Sequence, residues 1–136
     1  MNVIVPFDLD ADTGAYALNR AAEMFADSDD VMVYAVHLTD TQNETVDNVI
    51  MEEARRLMSV EENGQLDEDQ IVVEVQPVKE ETPEYIVPAI KQYARENNAD
   101  QIVMSKQERS LLEKLLQRSN TESLIGNGVA PVTRVS

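Results

Sequence analysis

The sequence predicts one α/β domain, residues 1–136, with a parallel sheet that is covered by helices on both faces. Five short apolar segments recur along the chain, and apolar residues at helical spacing fill the gaps between them. Strands that are buried on both faces of a parallel sheet are apolar almost throughout, as are residues 3–7, 31–36 and 102–104. This alternation of strands and helices is typical of a doubly wound sheet with right-handed crossovers.

The remaining two apolar segments are predicted to lie nearer the edges of the sheet. Glu74 interrupts the segment 71–75, and Thr133 and Arg134 occupy the middle of the segment 132–135. A charged or polar side chain is easier to accommodate in an edge strand, because an edge strand has a neighbouring strand on one side only and water has access to the other side.

Helices are predicted between successive strands. The second of them has the clearest apolar stripe, and all of its members are expected to face the core: Val46, Val49, Ile50, Ala54, Leu57 and Met58. The polar stretch 61–70 after it is predicted to be a loop within the domain. After the fourth strand, two short helices are predicted from capping boxes that begin at Ser110 and Ser119.

Two prolines mark the third helix. Thr82 and Pro83 suit the N-cap and the first helical position. Pro88 follows inside the same pattern, so the helix either kinks there or begins there. Ile86 and Val87 continue the apolar stripe before Pro88, which favours the kink.

The charge of the chain excludes several classes of function. The formal net charge is −15, which argues against general affinity for nucleic acid or anionic lipid. No cysteine is present, so disulfides and thiolate zinc sites are excluded. No leader pattern and no apolar stretch of membrane length occurs, and a cytoplasmic location without membrane insertion is expected. The acid-rich, lysine-poor composition resembles that of proteins from salt-loving organisms.

Two candidate sites are weak when they are compared with ordinary structural roles. Asp8, Asp10 and Asp12 alternate like the start of a calcium loop, but Thr13 and Asn19 occupy the positions where such a loop needs Gly and Glu. A cap on the following helix explains Asp12 equally well, and no metal is expected. The single histidine has no second histidine or cysteine to complete a metal site or a triad, so no catalytic residue is assigned.

The segment 105–119 stands out because its charge is opposite to that of the chain. Four basic side chains accompany two acidic ones, a net charge of +2. The segment follows a predicted strand and ends at Ser119, a predicted helix N-cap, where backbone N–H groups favour anions. A phosphate or carboxylate site competes here with the simpler interpretation of a solvated helix face.

Four segments of the chain resemble the universal stress protein family. Val5-Pro6-Phe7-Asp8 is similar to the Val-Pro-x-Asp end of the family's first strand, and residues 33–40 are similar to its second strand. Residues 93–104 follow the family's pattern Tyr-Ala-x-x-x-x-Ala-Asp-x-Ile-Val-Met, and Ala130-Pro131-Val132 resembles the start of its last strand. The match spans the chain in order.

The resemblance implies a five-stranded sheet with strand order 3-2-1-4-5, as in the adenine nucleotide alpha hydrolase-like fold. It further implies a homodimer that pairs through the last strand, Val132, Thr133, Arg134 and Val135. Members act in stress resistance, and one branch binds ATP. By position, the nucleotide-binding residues implied are Pro6, Asp8, Leu38, Met104, Ser105, Arg118 and Ser119, with Lys106 and Arg109 as additional anion contacts.

The phosphate motif of the ATP branch is largely absent. Its three glycines correspond to Ser105, Glu108 and Arg118, and only Ser119 keeps the motif's hydroxyl. Glycines let the backbone approach phosphates closely, and Glu108 would add repulsion. The adenosine half of the site is therefore expected to be kept and the phosphate half changed, which is typical of the branch that does not bind ATP.

Three functions follow from this resemblance. The first is a non-enzymatic, stress-associated regulatory homodimer without a cofactor, acting on an unknown protein partner. The second is a switch or weak ATPase that binds ATP or AMP through an altered loop. The third is a regulatory domain of a membrane transporter.

Overall fold

The computed structural model describes residues 1–8, 12–59, 65–105 and 132–135. In chain order the elements are β1 (Asn2–Pro6), α1 (Asp12–Met24), β2 (Met32–Thr39), α2 (Glu44–Met58), a 3₁₀ turn (Glu68–Gln70), β3 (Ile71–Pro77), α3 (Pro83–Glu96), β4 (Gln101–Ser105) and β5 (Val132–Val135). The predicted helices that begin at Ser110 and Ser119 lie outside the described residues.

The strands form one sheet of parallel pairs in the order β3-β2-β1-β4-β5. The predicted α/β class with a parallel sheet is confirmed, as is the relative order of the first four strands. Reversal of the winding direction occurs beside β1, because the chain moves from β1 outward to β2 and β3 and then returns to the other side for β4. Ligands bind at such a point in open α/β sheets, beyond the carboxyl ends of the strands.

Two apolar layers cover the sheet. On one face, alternate residues of the strands pack against α1 and α2 around Leu18, Ala54 and Met58. On the other face, α3 packs Val87 and Ile90 onto Ile4, Ile102 and other strand residues. The three central strands, β1, β2 and β4, each supply one set of alternate side chains to each layer, which is why they are apolar on both faces.

The segment that carries the most specific resemblance has a structural role. Tyr93 and Ala94 lie on the buried face of α3, in the core layer that this helix forms with the sheet. Asp100 then ties β4 to β1, because its backbone N–H donates to the Asn2 carbonyl at 2.7 Å and its carboxylate accepts the Asn2 N–H at 2.8 Å. Between them Asn98 has a φ of 50°, a left-handed conformation that asparagine tolerates. These contacts fix the turn that joins α3 to β4.

Two predictions need correction. Val46 and Val49 do not face the core, since 50% and 61% of their surfaces are exposed. The polar stretch 61–70 is not all loop: Leu66 is fully buried in a bridge with Ser59, and the 3₁₀ turn follows it. The favoured interpretation of the third helix agrees with the structure, because α3 begins at Pro83 and continues through Pro88.

Candidate functional site

A cavity of about 250 Å³ lies beyond the carboxyl ends of the strands, on the face that α3 covers. Its floor comes from three strands: Pro6 ends β1, Leu38 is near the end of β2, and Met104 is near the end of β4. Ile86 and Ile90 of α3 form the opposite wall. The cavity thus occupies the winding reversal at which open α/β sheets bind ligands.

The structure brings together four of the residues that the resemblance selected. Pro6, Asp8, Leu38 and Met104 all line this one cavity, although they come from three separate parts of the chain. Ser105 ends β4 directly after Met104.

Five predicted contacts cannot be placed in the same way. The side chain of Ser105, like those of the β5 residues Val132–Val135, is not described, and Lys106, Arg109, Arg118 and Ser119 lie outside the described residues. For β5 the backbone alone is described, and it runs parallel to β4 at the edge of the sheet.

His37 has the structural role expected of a lone histidine. It is 6% exposed, its Nδ1 lies 3.0 Å from the Phe7 carbonyl oxygen, and its ring lies 5.7 Å from the Phe7 ring. Because a carbonyl only accepts, the Nδ1 is the protonated nitrogen in this contact. His37 therefore joins the end of β2 to the residue that follows β1, beside the cavity.

A carboxyl pair that no sequence pattern distinguishes stands at the rim of the cavity. Glu81 lines the cavity just before α3, and its carboxyl group shares a hydrogen bond with Asp40, which follows β2. This bond with Asp40 raises the pKa of Glu81, and partial burial and the negative charges of Asp40 and Asp8 raise the same pKa further. The charge of His37 acts in the opposite direction.

The loop after β2 holds Asp40 in this position. The Thr39 hydroxyl donates to the Thr41 carbonyl at 3.2 Å and accepts the Thr41 N–H at 3.1 Å. The Thr41 hydroxyl donates to the Asp40 carboxylate at 3.0 Å, and Asn43 then caps α2 by accepting the Val46 N–H at 3.1 Å. These short-range bonds are typical of Ser, Thr and Asn in turns and at helix starts.

A second, smaller cavity of about 160 Å³ lies beside the first between β3 and α3, and Leu38 separates the two. Tyr93 lines it and is only 4% exposed. Among the described residues its hydroxyl forms no well-aligned hydrogen bond. Burial and then the nearby Glu74 carboxylate raise the pKa of Tyr93, so its hydroxyl stays neutral.

The lining of the larger cavity suits a small, partly apolar group. Aliphatic side chains form its walls and carboxylates accept hydrogen bonds at its rim. Within the described part of the chain, no three His, Cys, Asp or Glu side chains are placed to hold a metal ion. No helix in that part is long and apolar enough to span a membrane.

The chain belongs to the universal stress protein family, whose family model matches residues 1–136. A universal stress protein from Archaeoglobus fulgidus, solved in complex with dAMP, is 20% identical, has a TM-score of 0.65, and is matched over 100% of this chain and 98% of its own. Another universal stress protein, solved in complex with cAMP, is 21% identical with a TM-score of 0.62, over 99% of this chain and 95% of its own. No curated protein sequence matches the chain.

Proposed function

We propose that this chain is a non-enzymatic, stress-associated regulatory domain that binds the adenosine part of an adenine nucleotide in the larger cavity. The observation that carries the proposal is the convergence of Pro6, Asp8, Leu38 and Met104 on that cavity. The resemblance to the family implies these same positions for nucleotide binding. Three different strands supply them, so proximity in the sequence does not explain their meeting.

The size and lining of the cavity support this proposal. Small-molecule sites are usually concave, mostly apolar and supplied with a few polar groups that fix orientation. A volume of about 250 Å³ is close to the lower end of their usual range, which begins at about 300 Å³, and it suits a nucleoside-sized group. The family relatives solved with dAMP and cAMP are consistent with a site for an adenine monophosphate.

A binding titration tests the proposal. Adenosine, AMP, dAMP, cAMP and ATP are titrated into the protein by calorimetry, and thermal melts are recorded with each ligand. A ligand at about 100 times its Kd stabilises the folded state by about 2.7 kcal/mol. For 136 residues the unfolding entropy is about 0.29 kcal/mol/K, so the Tm is expected to rise by about 9 °C. No shift with any of them at millimolar concentration would contradict the proposal.

A pair of variants locates the binding site. Ile86→Trp places an indole in the wall of the cavity and is expected to weaken binding at least about tenfold, since the ring occupies the ligand's space. Val49→Trp introduces the same side chain on α2, where the native residue is 61% exposed, and should leave binding unchanged. Equal losses in both variants would show that the cavity is not the site.

The alternative of a switch or weak ATPase is separated from pure binding by phosphate release. ATP is incubated with the protein, and free phosphate is measured over hours. Because the glycines of the ATP branch are replaced by Ser105, Glu108 and Arg118, we expect ATP to be hydrolysed no faster than in buffer. Hydrolysis that Ile86→Trp abolishes would favour the enzyme.

The proposed assembly is a cytoplasmic homodimer that pairs through β5. The position of β5 at the edge of the sheet, beside β4, supports this arrangement, since an edge strand offers backbone groups to a second copy. Native mass measurement at several protein concentrations tests it. A pull-down with membrane fractions tests the remaining alternative, a domain that regulates a membrane transporter.

A further inference from the structure

We propose that Leu38 determines which adenine nucleosides the larger cavity accepts, because its side chain closes that cavity off from the smaller one. Nucleosides with an unsubstituted base are accepted, and those whose base carries a phenyl-sized group toward Leu38 are rejected. The proposal rests on the proposed function, since it names the class of ligand that the same cavity admits. Removal of the Leu38 side chain is expected to join the two cavities and to admit the substituted class.

The two cavities lie side by side on the face of the sheet that α3 covers. Pro6, at the end of β1, lines the larger cavity, whereas Gln76 and Pro77, at the end of β3, line the smaller. The strand between β1 and β3 is β2. Leu38 is near the end of β2 and is paired with Gln76 in the parallel register, so it occupies the boundary between the two spaces.

Leu38 is the wall that the two cavities share. Of the described residues, it alone lines both. It is 8% exposed and belongs to one apolar cluster with Ile90, which lines the larger cavity, and Tyr93, which lines the smaller. The partition is therefore a buried apolar side chain between the sheet and α3, and a single substitution can remove it.

The helix on the other side of this wall is divided in the same way. Ile86 and Ile90, one turn apart, line the larger cavity, whereas Ala89 and Tyr93, also one turn apart, line the smaller. The short side chain of Ala89 leaves room for the smaller cavity, whose volume is about 160 Å³. A dry cavity of about 150 Å³ in a protein core is large enough to bind benzene. A phenyl group therefore matches the space behind Leu38 by volume.

The expected size of the effect follows from the behaviour of apolar groups in closed pockets. One methylene group too many changes affinity by about tenfold to two hundredfold. A phenyl group is larger than a methylene group, and a nucleoside already occupies the larger cavity. In the wild-type protein we therefore expect an adenosine with a phenyl group directed at Leu38 to bind at least about tenfold more weakly than adenosine itself.

Calorimetry with adenosine, and with three adenosines that carry a phenyl group at N6, C2 or C8, tests the proposal. The three positions lie on different edges of the base, so the test does not depend on one orientation of the ligand. Leu38→Ala is expected to raise the affinity for at least one of the three by at least about tenfold relative to adenosine.

Two further variants show whether the gain comes from the smaller cavity. Met104→Ala removes the same number of side-chain atoms from the lining that β4 supplies, and it should give no comparable gain, because Met104 does not line the smaller cavity. Ala89→Leu adds three carbon atoms to the wall of the smaller cavity, so in combination with Leu38→Ala it should abolish the gain. Leucine is a good helix former, which makes it suitable for a position inside α3.

Leu38→Val provides a second measurement that does not depend on the stability of Leu38→Ala. It removes one carbon atom, and valine is favoured in strands. For the same substituted adenosine we expect a smaller gain of about threefold. Thermal melts show which variants are folded.

The outcomes separate this proposal from the proposed function. If adenosine binds neither to the wild-type protein nor to any variant, both are overturned. If adenosine binds but neither Leu38→Ala nor Leu38→Val favours a substituted adenosine, the role of Leu38 is overturned while adenosine binding stands. That role is also overturned if Met104→Ala gives an equal gain, or if the gain persists when Ala89→Leu is added.

Discussion

Leu66 provides a direct test of the described core. It lies in a polar stretch, but none of its surface is exposed, and it packs in the same apolar cluster as Met58 and Ile71. The Leu66 N–H donates to the Met58 carbonyl at 2.9 Å, and the residue forms a bridge with Ser59. Leu66→Ala would remove three carbon atoms from a fully buried position without changing the backbone.

The expected loss is about 3 kcal/mol of unfolding free energy, near the lower end of the about 2.7–5 kcal/mol that Leu→Ala substitutions at buried positions cost. With an unfolding entropy of about 0.29 kcal/mol/K for 136 residues, this corresponds to a fall in Tm of about 10 °C. Ser59 is also fully buried, so the cavity left behind is not open to solvent on that side.

Urea unfolding followed by circular dichroism, together with a thermal melt, measures this loss. Gln65→Ala is the control, because its side chain is exposed directly beside Leu66 and its removal should change stability by less than about 0.5 kcal/mol. A loss below about 1 kcal/mol for Leu66→Ala would refute the burial on which the reasoning depends.

Four other predictions concern stability. Tyr93→Phe should cost less than about 0.5 kcal/mol in urea unfolding, since the buried hydroxyl has no hydrogen-bond partner among the described residues; a loss above about 1.5 kcal/mol would mean that it has one. The pKa of Glu81 is raised on folding, so the folded state binds more protons, and the stability that this group contributes falls as pH rises from its ordinary value through the raised one. In thermal melts recorded at a series of pH values, Glu81→Gln should reduce the fall in Tm over this pH range. An unchanged dependence of Tm on pH would contradict the pairing with Asp40. Val49→Gln should leave the Tm within about 2 °C of that of the wild-type protein, whereas a large fall would indicate that Val49 is buried in the core. The net charge of −15 should lower the Tm in dilute buffer relative to concentrated salt, and an equal Tm in both would argue against adaptation to salt.

The strands were predictable because a central parallel strand leaves a strong signal in the sequence. Both faces of β1 and β4 are covered, so nearly every residue in them must be apolar. The third helix was predictable for a related reason, since Thr82 and Pro83 mark its start and its buried face repeats at helical spacing. Its continuation through Pro88 was the option favoured over a start at that residue.

The error at Val46 and Val49 has a physical cause. A helical stripe shows which residues share a face, but it does not show how far the neighbouring elements extend beneath that face. Ala54 and Met58 at the end of α2 are buried, while the first turns of α2 project beyond the described core. Leu66 is the reverse case, a single apolar residue without a period, whose burial depends on contacts with distant parts of the chain.

The sequence by itself determined the fold class, the family and four of the residues that line the cavity, because local patterns of apolar residues and short motifs indicate each of these. Only the tertiary structure decided that Pro6, Asp8, Leu38 and Met104 surround one space, and that Glu81 and Asp40 share its rim. Glu81 is one of 26 acidic residues, and nothing in its neighbourhood along the chain distinguishes it. Its position depends on the order of the strands, which places the end of β2 beside the start of α3.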